Sequence, residues 1–214
     1  MALRTPDQYV ASLRYGRRVY YHGKRVPDVT THDVFKSAIQ HASLDYRMAE
    51  DPKRRDLAVV NGHSRYYHVP RSAEDLLARS KLSEEATQLG RTLVVLIKEI
   101  GTDALFALMA SAQRLGGPYP DRVRLFYEHC RDNDLAVAGA QTDVKGNRAL
   151  APSEQPNPDA HVHIVERKGD GIVVRGTKVH TSVSVNANEL IVLPTRQLAE
   201  ADASYAVAFA IPID

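Results

Sequence analysis

The chain contains a single cysteine, Cys130. One thiol excludes an intrachain disulfide framework and any multi-cysteine metal site built by this chain alone, and it points to a reducing compartment. No apolar stretch approaches the roughly 18 to 20 residues that a membrane span needs. The opening Met1-Ala2-Leu3-Arg4-Thr5-Pro6-Asp7 has no basic segment leading into an apolar run, so no secretory signal is expected and the expected location is cytoplasmic. An excess of either charge is also missing. Lys and Arg number 28 against 26 Asp and Glu, a net charge of +2, too balanced to suggest a nucleic-acid partner. Internal repeats and low-complexity tracts are absent as well. What remains is an ordinary globular composition: 214 residues, 43% hydrophobic and 25% charged, enough for one domain or two small ones with a real core.

The first half reads as helical. Thr5 or Asp7 can cap a short helix through Leu13, and Arg18 to Val26 reads as two short strands around Gly23, closed by Pro27. Ser72-Ala73-Glu74-Asp75 has the form of a capping start for a helix through Arg79, and Ser83-Glu84-Glu85 that of a second start. From Glu84 to Leu115 the spacing is helical. Leu89, Leu93, Leu96, Ile97 and Ile100 share one face, and Leu105, Phe106, Leu108 and Met109 continue it, with Gly101 a place for a bend or interruption. Gly116-Gly117-Pro118 ends this stretch, and Asp121 to Arg131 predicts another helix with Val123, Phe126 and Tyr127 facing inward.

Beyond Asp134 the period changes to that of strands: His161 to Val165, Gly171 to Arg175, Val179 to Val185, Glu189 to Leu193 and Tyr205 to Pro212. Lys168-Gly169-Asp170-Gly171 is a strong hairpin turn. The expected organisation is a helical domain with a short β hairpin over residues 1–135 and a small β domain over residues 136–214.

Within the second half, Gln141-Thr142-Asp143-Val144-Lys145-Gly146-Asn147-Arg148 packs amide, hydroxyl, carboxylate and cationic groups into one turn. A second polar cluster, Lys178-Val179-His180-Thr181-Ser182, follows the strand ending at Arg175. Two donor-rich loops of this kind can converge on one ligand, though Asp, Asn and Thr also commonly satisfy loop backbone. Without a nucleophile, base or metal set among them, they suggest the holding of a cofactor rather than direct chemistry.

Other constellations have plainer readings. Arg14, Arg17, Arg18, Lys24 and Arg25, interleaved with Tyr15, Tyr20 and Tyr21, form a basic hairpin whose like charges blunt exposed strand edges, with nucleic-acid or cofactor-phosphate contact as the alternatives. His161-x-His163 places two imidazoles on one strand face without a visible third metal ligand. Cys130, with no motif around it, reads as a packing or partly exposed thiol.

The block DGIVVRGTKVHTS with NELIVLPT behind it, and NDLAVAGAQTDVKGNRALAPSEQ ahead, resembles the flavoprotein family that joins 4-hydroxyphenylacetate 3-monooxygenases to 4-hydroxybutyryl-CoA dehydratases. Tyr9, Ser12-Leu13 and Arg18 to Val26 are similar to its opening, and Ala201 to Val207 to its middle domain. The resemblance implies an α+β fold of acyl-CoA dehydrogenase type, helical domain first and small antiparallel β domain second, lacking the C-terminal helical bundle of the longer family members. It implies FAD between the two halves, held by Gln141, Thr142, Asp143, Lys178, Thr181 and Ser182. It also implies a monooxygenase-like oxidoreductase subunit fed reduced flavin by a flavin reductase and acting on a small aromatic molecule. The alternatives are a dehydratase or isomerase acting on a CoA thioester, and a noncatalytic partner subunit.

Two departures bear on that resemblance. The dehydratases carry iron–sulfur cysteines four apart on the helix preceding Gly101-Thr102-Asp103-Ala104, where this chain has Val95 and Glu99, so no cluster is expected on this chain. In the hydroxylases an Arg and a Tyr on this helix and a His after the Asn-Asp-Leu motif handle the phenol; the corresponding positions here are Ile100, Ala104 and Gly139. The catalytic residues are therefore open. The apolar β-patterned ending, Ala208 to Asp214, carries the expectation of an oligomer with a chain supplying the helical bundle.

Overall fold

The computed structural model describes residues 3–91 and 97–214, and the chain divides into two compact units. The first comprises Met1–Ala138, Val183–Glu189 and Pro212–Asp214, the second Gly139–Ser182 and Leu190–Ile211.

The first unit opens with α1 (Pro6–Ser12). Thr5 caps it: its side chain accepts from the Gln8 amide while the Gln8 side chain returns to the Thr5 amide. A hairpin follows, β1 (Val19–Tyr21) against β2 (Lys24–Val26), antiparallel with Val19 opposite Val26. His22 and Gly23, both at positive φ, make the two-residue turn. Three short helices come next, α2 (Lys36–Ala42), α3 (Leu44–Glu50) and α4 (Arg55–Ala58), then the minimal hairpin β3 (Val59–Val60) and β4 (His63–Ser64).

Helix α5 (Ala73–Gly90) starts at the capping box of Ser72 and Asp75. It runs straight through Ser83 instead of restarting there. The Ser83 hydroxyl donates back to the carbonyl of Arg79, four residues earlier, so it serves the helix interior and caps nothing. The helix ends at Arg91, whose left-handed φ of +51° breaks the ladder. Helix α6 (Glu99–Leu115) is continuous through Gly101. That glycine does not bend the helix; a Cβ there would lie 2.3 Å from the carbonyl oxygen of Val137, so its smallness permits close packing. Ile97 and Leu105 are buried on the expected face, whereas Leu89 and Ile100 are exposed; Leu93 and Leu96 lie outside the described residues. Helix α7 (Tyr119–Asp132) buries Tyr127 and Cys130 and half-buries Val123 and Phe126.

This unit's core is rich in tyrosine. Tyr9 stacks on Tyr46 with ring centroids 4.5 Å apart, and both rings are fully buried. A buried phenol usually finds a partner for its hydroxyl, as the core tyrosines here do except Tyr66, whose hydroxyl is unpartnered. Tyr9 donates to the carbonyl of Asn186 at 2.7 Å, Tyr46 to that of Asp134 at 3.2 Å, Tyr67 to that of Leu135 and Tyr127 to that of Tyr67, each at 2.5 Å.

Strand β5 (Val137–Ala140), which lies at the expected domain boundary and was not anticipated as a strand, joins β8 (Glu189–Val192) and β9 (Phe209–Pro212) in a three-stranded sheet of order β5-β8-β9. Before β8 and β9 comes the antiparallel hairpin β6 (His163–Lys168) and β7 (Gly171–Arg175), turned at Gly169-Asp170. Three strand expectations need correction. β6 begins at His163 rather than His161, and β9 at Phe209 because a 3₁₀ turn from Glu200 to Tyr205 precedes it. The stretch Val179 to Val185 is not a strand: His180 and Val183 take left-handed φ of +52° and +59°, which extended backbone cannot contain.

Candidate functional site

The two polar loops of the second unit do meet. Asp143 and Lys178 form an isolated antiparallel bridge, and the Val179 amide donates to the carbonyl of Thr142 at 2.9 Å. The Lys178 ammonium closes the junction. It donates to the carbonyl of Gln141 at 3.0 Å, to that of Leu193 at 2.7 Å and to the Asp143 carboxylate. Three acceptors exhaust its three protons, so Lys178 clamps the loops and neutralises Asp143. Thr195 adds a further hydroxyl bond to the carbonyl of Gln141.

Of the six residues expected to hold a cofactor, the structure thus brings Gln141, Thr142, Asp143 and Lys178 into direct contact. Thr181 and Ser182 follow three and four residues after Lys178, in a tight bend where the Ser182 amide donates to the carbonyl of His180 at 2.9 Å. Among the described residues, the hydroxyls of Thr142, Thr181 and Ser182 make no hydrogen bond within the protein. The bend is strained. Val183 is β-branched and at φ +59°, a conformation costing on the order of 1–3 kcal/mol, which the surrounding structure must impose.

Beside the bridge lies a cavity of about 270 Å³, walled by Val144 and Val179 and rimmed by Lys145, Arg148, His180 and Arg196. His161, buried to 4% exposure, lines it too. Its Nδ1 has no hydrogen-bond partner. The imidazole of His163 turns away from such a role: its Nδ1 meets the carbonyl of His161 at 3.1 Å and its ring lies against Tyr205 at 4.9 Å. No group of three or more metal-ligating side chains occurs among the described residues. Thr195 and Arg196 were not singled out from sequence. Their signal was the Leu193-Pro194-Thr195-Arg196 step off the end of β8, where a proline stops the strand and leaves polar side chains beside the loops.

The first unit holds its own buried charges. Lys98, at the start of α6, donates its ammonium to Asp134 Oδ1 at 2.6 Å, and Asp134 Oδ2 accepts from the Arg4 amide at 3.1 Å. The same ammonium lies 3.8 Å from the centroid of the Tyr46 ring. Asp45 is buried beside them, its Oδ2 3.4 Å from the Lys98 amide and its Oδ1 unpartnered. Burial pushes its carboxyl up to about 7, against the opposing pull of Lys98. Glu99 is tied to the Ser83 hydroxyl at 3.1 Å; Val95 lies outside the described residues. Cys130 is fully buried, and burial raises its thiol pKa, with Glu189 adding to the effect. That leaves it unsuited to nucleophilic or ligand chemistry.

Comparison with known proteins matches residues 5–214 to the family model described as 4-hydroxyphenylacetate 3-hydroxylase N terminal. The chain is 35% identical to the 4-hydroxybutyryl-CoA dehydratase/vinylacetyl-CoA-Δ-isomerase of Clostridium aminobutyricum, over 99% of this chain and 45% of that protein. It is 30% identical to the oxygenase component of 4-hydroxyphenylacetate 3-monooxygenase of Thermus thermophilus, over 98% and 44%. Among solved structures, an oxygen-tolerant archaeal 4-hydroxybutyryl-CoA dehydratase from N. maritimus superposes with a TM-score of 0.90 at 30% identity, over 99% of this chain and 44% of that one. The oxygenase component of a 4-hydroxyphenylacetate 3-monooxygenase complexed with FAD gives 0.85 at 30% identity, over 98% and 44%. The chain therefore spans less than half the length of these relatives.

Proposed function

The chain belongs to the 4-hydroxyphenylacetate 3-hydroxylase N-terminal family, and from that premise we propose that it is the FAD-contacting part of a flavin-dependent monooxygenase-like oxidoreductase. The observation that carries the reading is the Asp143–Lys178 bridge. It joins the two donor-rich loops and sets the free hydroxyls of Thr142, Thr181 and Ser182 on adjoining backbone. FAD fits this donor set. An isoalloxazine ring presents neutral carbonyls and ring nitrogens, which hydroxyls and backbone amides can satisfy, and the clamp removes the one charge pair that would otherwise compete.

In this reading Thr181 and Ser182 donate to the flavin and Gln141, Thr142 and Asp143 shape its edge, while Lys178 acts by holding those loops. Bound FAD supplies the redox chemistry toward oxygen and substrate; the residues of this chain orient it and keep water away. A flavin reductase supplies the reduced cofactor. The portion of the relatives' length beyond this chain, an acyl-CoA dehydrogenase-like helical bundle in continuity or on a partner, completes the pocket of the oligomer. The lone buried thiol agrees with a reducing, cytoplasmic setting. Among the described residues no helix is long and apolar enough to cross a membrane.

A CoA-thioester dehydratase or isomerase is the second reading, favoured by the 35% identity and the 0.90 TM-score to dehydratases. With one cysteine, this chain would perform it without ligating an iron–sulfur cluster. Titrating the purified chain with FAD and following flavin fluorescence tests the first reading. The Thr181→Ala, Ser182→Ala double variant, which removes both hydroxyl donors together, is expected to bind FAD roughly 1–3 kcal/mol more weakly. Unchanged binding in a folded double variant rejects the site.

A further inference from the structure

A cavity of about 280 Å³ opens in the first unit between the β3–β4 hairpin and the last turns of α7, lined by residues that the proposed function does not use. The hairpin turns at Asn61-Gly62, both at positive φ, which sets His63 opposite Val60 and Ser64 opposite Val59. Tyr127 and Arg131, four residues apart, share one face of α7, with the guanidinium carbon of Arg131 5.3 Å from the Tyr127 ring centroid. The rings of Tyr67 and Tyr127 serve the cavity as walls, because their hydroxyls are spent on the carbonyls of Leu135 and Tyr67.

The polar lining is basic. Arg131, His63 and His68 contribute to it, and no carboxylate does. The neighbouring acids lie outside the lining and brace these groups: Asp132 Oδ1 accepts from Arg131 Nε at 2.7 Å and lies 4.0 Å from His63 Nδ1, and Asp75 Oδ1 meets His68 Nε2 at 3.1 Å. Asp132 therefore offsets part of the Arg131 charge, and the Tyr127 side chain lies against the guanidinium. Even so, neither Nη group of Arg131 has a hydrogen-bond partner among the described residues. Ser64 is 4% exposed, and its hydroxyl has no partner among the described residues; the Asn61 side-chain amide has none either. A buried hydroxyl and a two-pronged cation, both without acceptors in a cavity whose basic groups are braced from outside, are preorganised for a ligand that only accepts.

We propose that this cavity binds a small monocarboxylate, its oxygens accepting from the Arg131 Nη groups and the Ser64 hydroxyl and its hydrocarbon body lying against Val60 and the two tyrosine rings. The Asn61 amide and the His63 ring flank the carboxylate. The volume falls just below the roughly 300–1,000 Å³ of small-molecule pockets, so the body is short. Because Asp132 shares the cation, binding is weak, with a dissociation constant of roughly 0.1–10 mM. The site is independent of the proposed flavin function.

The test is titration of the 214-residue chain with pentanoate and with pentanamide, its uncharged isostere, followed by the backbone amide resonances in NMR. Pentanoate is expected to bind saturably, to shift the amides of Asn61 to Ser64 and of Arg131, and to bind at least about tenfold more tightly than pentanamide. Arg131→Gln removes the paired Nη donors and is expected to lose about tenfold or more in affinity. Ser64→Ala guards against a variant that fails to fold: its hydroxyl has no partner in the protein, so the melting temperature is expected to hold while pentanoate binds about fivefold more weakly. Weaker binding in Ser64→Ala at an unchanged melting temperature supports a ligand contact rather than a structural role. Equal binding of acid and amide, undiminished binding by both variants, shifts confined to residues 141–148 and 178–182, or no saturation by about 20 mM would each overturn the proposal.

Discussion

Lys98 Nζ lies 2.6 Å from Asp134 Oδ1, with 1% and 2% of the two side chains exposed. The pair ties the N-cap of α6 to Asp134, three residues before β5, and Asp134 itself sits at φ +49°. Truncating one partner leaves a charge buried without compensation, so Lys98→Met is expected to cost about 3–5 kcal/mol in urea denaturation. Adding Asp134→Asn, which removes the orphaned charge and tolerates the left-handed backbone, should recover part of that loss. A double variant no more stable than the single would show that the pair is not what holds this contact.

Asp45 gives the first unit a pH dependence of known sign. Its carboxyl is raised by burial to about 7, above its ordinary range near 4, so the folded state holds a proton that the unfolded chain has released. The stability this represents is present below about pH 4 and is lost as pH rises toward 7. Asp45→Asn cannot lose it. The melting temperature of the variant relative to the parent should therefore climb in the variant's favour from pH 4 to 7 and level off above, by differential scanning calorimetry. A flat difference would contradict the raised value.

Gly101→Ala places a methyl group 2.3 Å from the Val137 carbonyl oxygen in a helix that otherwise favours alanine. The clash should outweigh the propensity gain, with a net destabilisation of about 1–3 kcal/mol. An unaltered denaturation midpoint would show that α6 shifts freely at this point.

Lys178→Met removes three hydrogen bonds and strands Asp143, so the second unit should lose roughly 3 kcal/mol. In the FAD titration the same variant should bind more weakly although, on the proposed reading, Lys178 does not touch the cofactor. Asp143→Asn alone, keeping the ammonium's two carbonyl acceptors, should be milder in both measurements.

Features governed by neighbours in the chain were legible in the sequence. The capping boxes at Thr5 and Ser72 and the hairpins at Gly23 and Gly169-Asp170 follow local patterns. What escaped depends on distant contacts. Ser83 has the composition of a cap, yet it lies inside a continuous helix with its hydroxyl within reach of Glu99 on α6. Val179 to Val185 has the composition of a strand, yet two non-glycine residues adopt left-handed backbone that no glycine advertised. The spacing His161-x-His163 reads as two imidazoles on one solvated strand face, whereas His161 is buried and His163 turns toward the His161 carbonyl and Tyr205, which is a tertiary fact.

The complete burial of Cys130 also makes the molecule easy to label. Maleimides attack thiolates, and here the sulfur is shielded from solvent and its ionisation opposed by its surroundings. While α7 stays packed the native thiol is silent, so a cysteine installed at an exposed position such as Tyr20 takes a fluorophore alone. Without such an addition, the rate at which Cys130 itself is conjugated becomes a clock for the opening of the first unit.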